Sequence, residues 1–114
     1  MGYRSDVVLV VHKDIIPKFM DVLCVNEGAR NLVFEYRDEF DKDFYEEGHI
    51  FIRWGGVKWY EGFESVDALE AFVEENEEQT RLVRCGEEGE DTEEKGDLFS
   101  ELIYPRIYNS IEIN

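Results

Sequence analysis

Residues 7–11 form an unbroken run of Val and Leu, and an apolar stretch that short, without polar alternation, predicts a central strand buried on both faces. Beyond His12 and Lys13, Asp14 stands as a helix cap and Pro17 fits only a first helical turn. Ile16, Phe19, Met20, Leu23 and Cys24 then recur at i, i+3, i+4, i+7 and i+8, the stripe of an amphipathic helix that ends near Gly28. Over 31–44 two periods compete. Leu32, Phe34 and Tyr36 alternate like a strand, whereas Leu32, Tyr36, Phe40 and Phe44 recur every fourth residue; the reading taken is a strand over 32–37 followed by an acidic loop. Residues 49–53 and 57–60 flank Gly55-Gly56, a dipeptide that supplies the positive φ angles of a two-residue hairpin turn. Ser65 caps a second helix whose apolar stripe is Val66, Leu69, Phe72 and Val73. Residues 81–85 read as a strand, 86–96 as a polar loop, and 98–113 as one or two strands interrupted at Pro105. The order β-α-β-β-β-α-β-β predicts an α+β fold, one domain over 1–114, with a mostly antiparallel sheet and two helices packed on one face.

Charge changes the picture from fold to partner. The 114 residues carry a net charge of −16, yet they are 43% hydrophobic and 14% aromatic, which separates the chain from disordered acidic proteins. All of the excess follows Phe34. Residues 1–34 hold four acids and four bases, and the remainder holds 24 acids and 8 bases. Three clusters carry most of it: 35–47 with seven acids, 64–78 with seven, and 87–101 with eight. Such a field repels phosphate backbones and anionic lipid headgroups, which excludes direct nucleic-acid and membrane binding and favours a basic protein as partner. The longest apolar run falls far short of the roughly 20 residues of a membrane span. Cys24 and Cys85 lie in apolar-patterned segments and the N-terminus carries no signal-peptide pattern, so a reducing cytosolic setting is expected.

The acids on the second helix oppose its formation. Six like-charge pairs at i,i+3 or i,i+4 disfavour it by about 0.2 to 0.5 kcal/mol each, and Glu74, Glu75, Glu77 and Glu78 crowd the helix end that prefers cations. A penalty that a few lysines would remove suggests charge held for recognition. The candidate partner-binding residues are therefore Glu70, Glu74, Glu75 and Glu78 on the helix and Glu87, Glu88, Glu90, Asp91, Glu93 and Glu94 in the loop that follows.

Catalytic chemistry finds little footing. His12, His49, Cys24 and Cys85 are widely separated, without the compact spacing zinc requires, and they read as core thiols and partly buried imidazoles. Asp41 and Asp43 begin a calcium-loop pattern, but Glu46 stands where its glycine belongs. No cofactor is expected. Trp54, Trp59, Tyr60 and Phe63 read first as the core face of a sheet and second as a docking platform.

The opening Met1-Gly2-Tyr3-Arg4-Ser5-Asp6-Val7, the later Val57-Lys58-Trp59-Tyr60-Glu61-Gly62-Phe63 and the stretch Arg84-Cys85-Gly86-Glu87 together resemble a group of small uncharacterised bacteriophage proteins. The resemblance implies a phage origin and a host-cytoplasm location, and carries no activity with it. The expectation is a non-enzymatic phage accessory protein that binds or inhibits a basic, nucleic-acid-binding host protein through its acidic surfaces, in one form as a nucleic-acid mimic. The alternatives are a self-associating structural or virion-related module using the hairpin around 54–63, and a small metal-dependent enzyme or ligand binder using the acidic loop.

Overall fold

The computed structural model describes residues 2–88, 90–106 and 110–113. Along the chain come β1 (Ser5–Val11), α1 (Ile16–Val25), α2 (Glu27–Phe34), β2 (Glu39–Phe44), β3 (His49–Val57), α3 (Glu64–Glu75), β4 (Thr80–Gly86), β5 (Thr92–Lys95), β6 (Ile103–Arg106) and β7 (Ser110–Ile113). The first five strands by sheet order, β2-β3-β1-β4-β5, make one antiparallel sheet, and β6 and β7 pair separately. The α+β class, the antiparallel sheet and the packing of helices on one face are as the sequence predicts, with three α-helices in place of two.

The apolar run 7–11 is central because both of its faces find cover. Val7, Leu9 and Val11 join Phe19, Leu23, Leu32, Leu69 and Phe72 in a core beneath the helices. Val8 and Val10 join Phe51, Val83, Ile103 and Ile111 under the small β6 and β7 layer. Pro105 sits inside β6 opposite Ile111, tolerated because a two-stranded ribbon leaves every strand an edge. The margins of the large sheet are acidic, Glu39, Asp41 and Asp43 on β2 and Glu93 and Glu94 on β5, a charge pattern that discourages strand addition.

The structure corrects several local expectations. The segment 32–37 is not a strand: Leu32 and Val33 complete α2, where Ala29, Leu32 and Val33 share one buried face. Asn26 starts that helix, its Oδ1 accepting the Ala29 N–H at 2.8 Å, and Arg37 ends it, with Nη1 donating to the Val33 and Phe34 carbonyls. Capping and an i, i+3, i+4 face outweigh the short alternation. Gly55-Gly56 is not a hairpin turn either. β3 runs through it to Val57, and the register against β1 moves from Val7↔Trp54 to Ser5↔Val57, so β3 carries one extra residue there. Gly56, at φ +73°, is the left-handed residue that such a bulge needs. At the helix starts, His12 rather than Asp14 caps the 3-10 turn before α1, and Phe63 rather than Ser65 precedes α3. The loop 86–96 is half strand, since β5 occupies Thr92–Lys95.

Candidate acidic groove

α3 and β5 lie side by side on the helix-covered face, and the groove between them has a volume of about 700 Å³. Strand alternation builds its floor: Arg84 on β4 pairs with Glu93 on β5, and Leu82 with Lys95, so Arg84, Glu93 and Lys95 all face the helices. Arg84 is buried, and both of its terminal nitrogens are engaged. Its guanidinium donates to Asp91 Oδ1 at 2.7 Å and Oδ2 at 3.2 Å, to Glu93 Oε1 at 2.9 Å and to Ser5 Oγ at 3.0 Å. Tyr3 donates its hydroxyl to the same Asp91 Oδ2 at 2.5 Å. The Arg84 hydrogen bonds, followed by that of Tyr3, hold the Asp91 carboxyl below the usual carboxylate range, and the same bond to Asp91 raises the Tyr3 phenol. Bidentate pairing fixes the geometry as well as the charge.

Across the groove, Lys95 Nζ donates to Glu70 Oε1 at 2.7 Å and to Glu74 Oε1 at 2.8 Å. Trp59 Nε1 donates to the other Glu70 oxygen at 3.1 Å. Burial alone would pull the Lys95 ammonium down, but the two glutamates together outweigh it and hold the group above its ordinary range. Asp67 accepts the Gly62 N–H at 3.1 Å, which fixes the 60–63 turn over the start of α3. Six carboxylates line the groove, those of Glu61, Asp67, Glu70, Glu74, Asp91 and Glu93, against the two cations Arg84 and Lys95, with Tyr3, Trp59 and Tyr60 among them.

The ten acids singled out from sequence do not form one surface. Glu70, Glu74, Asp91 and Glu93 meet in the groove, each already ion-paired. Glu94 points to the opposite face of the sheet, where it meets Arg81 Nη2 at 2.5 Å. Glu75 lies beside Asp21, Val22 and Val25 on the far side of α3, and Glu78 is exposed in the 3-10 turn that follows it. Glu87 accepts the Arg4 N–H at 2.7 Å, Glu88 donates its N–H to Tyr3 Oη, and Glu90 is exposed in the turn before β5. Sequence reading did not place Arg84, Lys95, Asp67 or Glu61 in a site. Two of these had a signal: Arg84 interrupts an apolar strand, and Lys95 is the sole base in the 87–101 cluster.

The other candidate chemistry is structural. Trp54 and Trp59 are buried in the core, and Trp54 Nε1 donates to the Leu32 carbonyl at 2.7 Å, so the apolar hairpin on which self-association was to rest is absent. His49 is buried, its Nδ1 accepting the Lys13 N–H at 3.1 Å and its Nε2 facing Glu47 Oε2 at 3.0 Å, with the His12 ring tilted at 45° to it and the centroids 4.6 Å apart. Cys24 is exposed, contrary to its expected place in the core, while Cys85 is buried and its thiol is pushed up by desolvation. Among the described residues no group of three or more His, Cys, Asp or Glu side chains is placed to hold a metal ion, and no described helix is long and apolar enough to cross a membrane. In comparisons with known proteins, no family model, no curated protein and no solved structure matches the chain.

Proposed function

We propose that this chain is a protein-binding module that captures a basic side chain of its partner in the groove between α3 and β5. One observation carries the reading: the two acidic segments flanking β4 lie side by side, so that six carboxylates and three aromatic rings surround one opening. A guanidinium or ammonium entering there meets the carboxylates of Glu61 and Asp67, which have no ion pair among the described residues, and the ring of Tyr60. Carboxylate and aromatic face together are the setting that binds a cation most strongly. Arg84 and Lys95 keep the paired acids in place, so the site is pre-organised and its recognition is by position rather than by a diffuse field. The action is binding rather than catalysis. In keeping with the phage resemblance, the partner would be a basic host protein in the host cytoplasm, and nucleic-acid mimicry narrows to this groove and the acids that border it.

The test is titration with a labelled nona-arginine peptide at low and physiological salt. Glu61→Gln with Asp67→Asn should weaken binding about tenfold or more, the equivalent of about 1.4 kcal/mol, while Glu39→Gln with Asp41→Asn on the opposite margin of the sheet should leave it nearly unchanged. Equal weakening by the two pairs would mean that overall charge, not the groove, attracts the peptide.

A further inference from the structure

A second groove, of about 510 Å³, opens on the other side of the 58–63 segment, and its chemistry is opposite to that of the first. Its floor is the bare backbone of Gly55 and Gly56, where β3 bulges; a Cβ on Gly55 would approach Asp38 Oδ2 to 3.3 Å. Paired glycines inside a strand leave room for a ligand to approach the main chain. Two aromatic rings that the fold leaves outside its core stand on its walls, Tyr36 at 65% and Phe63 at 46% exposure. Arg4 and Lys58 stand at its rim. Neither has an ion pair among the described residues, whereas Arg81, Arg84 and Lys95 each have one or more. Arg4 Nη1 donates to the Gly56 carbonyl at 2.8 Å, which holds the guanidinium against the glycine floor with donors to spare. The one acid in the lining, Asp38, is engaged through Oδ2 by the Gly55 N–H at 2.5 Å. In a chain of net charge −16, this is a place where two cations without a side-chain ion pair among the described residues stand beside open aromatic surface.

We propose that this groove binds a small planar aromatic anion, its ring against Tyr36 and Phe63 and its single phosphate or carboxylate between Arg4 and Lys58. The volume lies within the range of small-molecule sites, about 300 to 1,000 Å³. Repulsion from the rest of the molecule is screened beyond about 8 Å at physiological ionic strength, so the nearby cations decide the local field.

The experiment follows the amide signals of Gly55 and Gly56 by NMR at physiological salt, with four probes: phenyl phosphate, adenosine monophosphate, benzyl alcohol and inorganic phosphate. Phenyl phosphate or adenosine monophosphate should shift both amides with a dissociation constant of about a millimolar or below, the scale for fragments of this size; the tighter of the two tells a simple aryl anion from a nucleotide. Lys58→Gln should weaken that binding about fivefold, the size of one exposed ion pair, and Tyr36→Ala should weaken it as well. Glu61→Gln, in the acidic groove, should leave it unchanged, so this outcome is independent of the partner reading above. Equal shifts with inorganic phosphate, equal affinity for benzyl alcohol, or no shift of Gly55 and Gly56 with either aromatic anion would each overturn the proposal.

Discussion

Replacing Lys95 by Gln removes the cation that joins α3 to β5 while keeping a polar side chain of similar reach. Two limits bracket the effect. An exposed pair is worth about 0 to 1 kcal/mol, and breaking a fully buried one costs about 3 to 5 kcal/mol. Glu70 is 17% exposed and Glu74 58%, so the loss falls mainly on Glu70, whose second oxygen keeps only Trp59 Nε1. An intermediate cost of about 2 kcal/mol follows. Unfolding entropy near 2.1 cal/mol/K per residue gives about 0.24 kcal/mol/K for a chain of this length, so Tm should fall by about 8 °C. Glu74→Gln should behave differently: it gives up a largely hydrated contact and relieves repulsion from Glu70, one turn earlier on α3, for a net change under about 0.5 kcal/mol. Calorimetry on Lys95→Gln, Glu70→Gln, Glu74→Gln and the double variants would measure these terms and the coupling between Lys95 and each glutamate. A Tm shift below about 2 °C for Lys95→Gln, or equal coupling to Glu70 and Glu74, would refute the buried bridge as the link between the two elements.

Acid titration should expose Asp91. Its carboxyl is depressed from 3.8 in the fold, so the stability it contributes is complete above that value and is lost as pH falls through the folded one; Asp91→Asn should flatten the acid limb of stability below about pH 4 in urea titrations. Glu75→Lys, which replaces an acid without an ion pair among the described residues in the last turn of α3, should raise stability by about 0.3 to 1 kcal/mol, whereas Glu70→Lys should lower it, as read by thermal melts. Gly96→Ala should cost more than Gly48→Ala although both glycines have φ +82°: a Cβ at Gly96 runs into the Thr80 carbonyl, while nothing lies within 4 Å at Gly48. The strained backbone alone accounts for about 1 to 2 kcal/mol at each site, and equal melting shifts would contradict the close approach of the 96 backbone to β4.

The core strand and the apolar stripes of α1 and α3 were legible because burial imposes a period on the residues that undergo it, as in Phe19 and Leu23 or Leu69 and Phe72. Where one segment satisfies two periods the sequence is silent. Leu32 fits a strand through Phe34 and Tyr36, and its helical state is settled by Asn26, which caps the start from outside the ambiguous stretch, and by Arg37, whose side chain takes up the Val33 and Phe34 carbonyls at the end. Gly55-Gly56 misled for another reason: the same positive φ serves a turn or a bulge, and the choice is made by Asp6 and Asp38, whose carboxylates take up the two glycine N–H groups from distant parts of the chain. In the acidic groove, composition located the acids but not their company. Arg84 and Lys95 neutralise acids that sit 7, 9, 21 and 25 residues away, and only the pairing of β4 with β5 beneath α3 brings them together.

The strand nearest the start of the chain is also the middle of the sheet. Val8 takes its neighbours from Arg53 on one side and Val83 on the other, so during synthesis β1, which precedes every other strand of its sheet, waits for β4 before its hydrogen bonds are complete. Until β4 emerges, a five-residue apolar ribbon stands with one edge open, and the nascent chain is most exposed to mispairing in that interval.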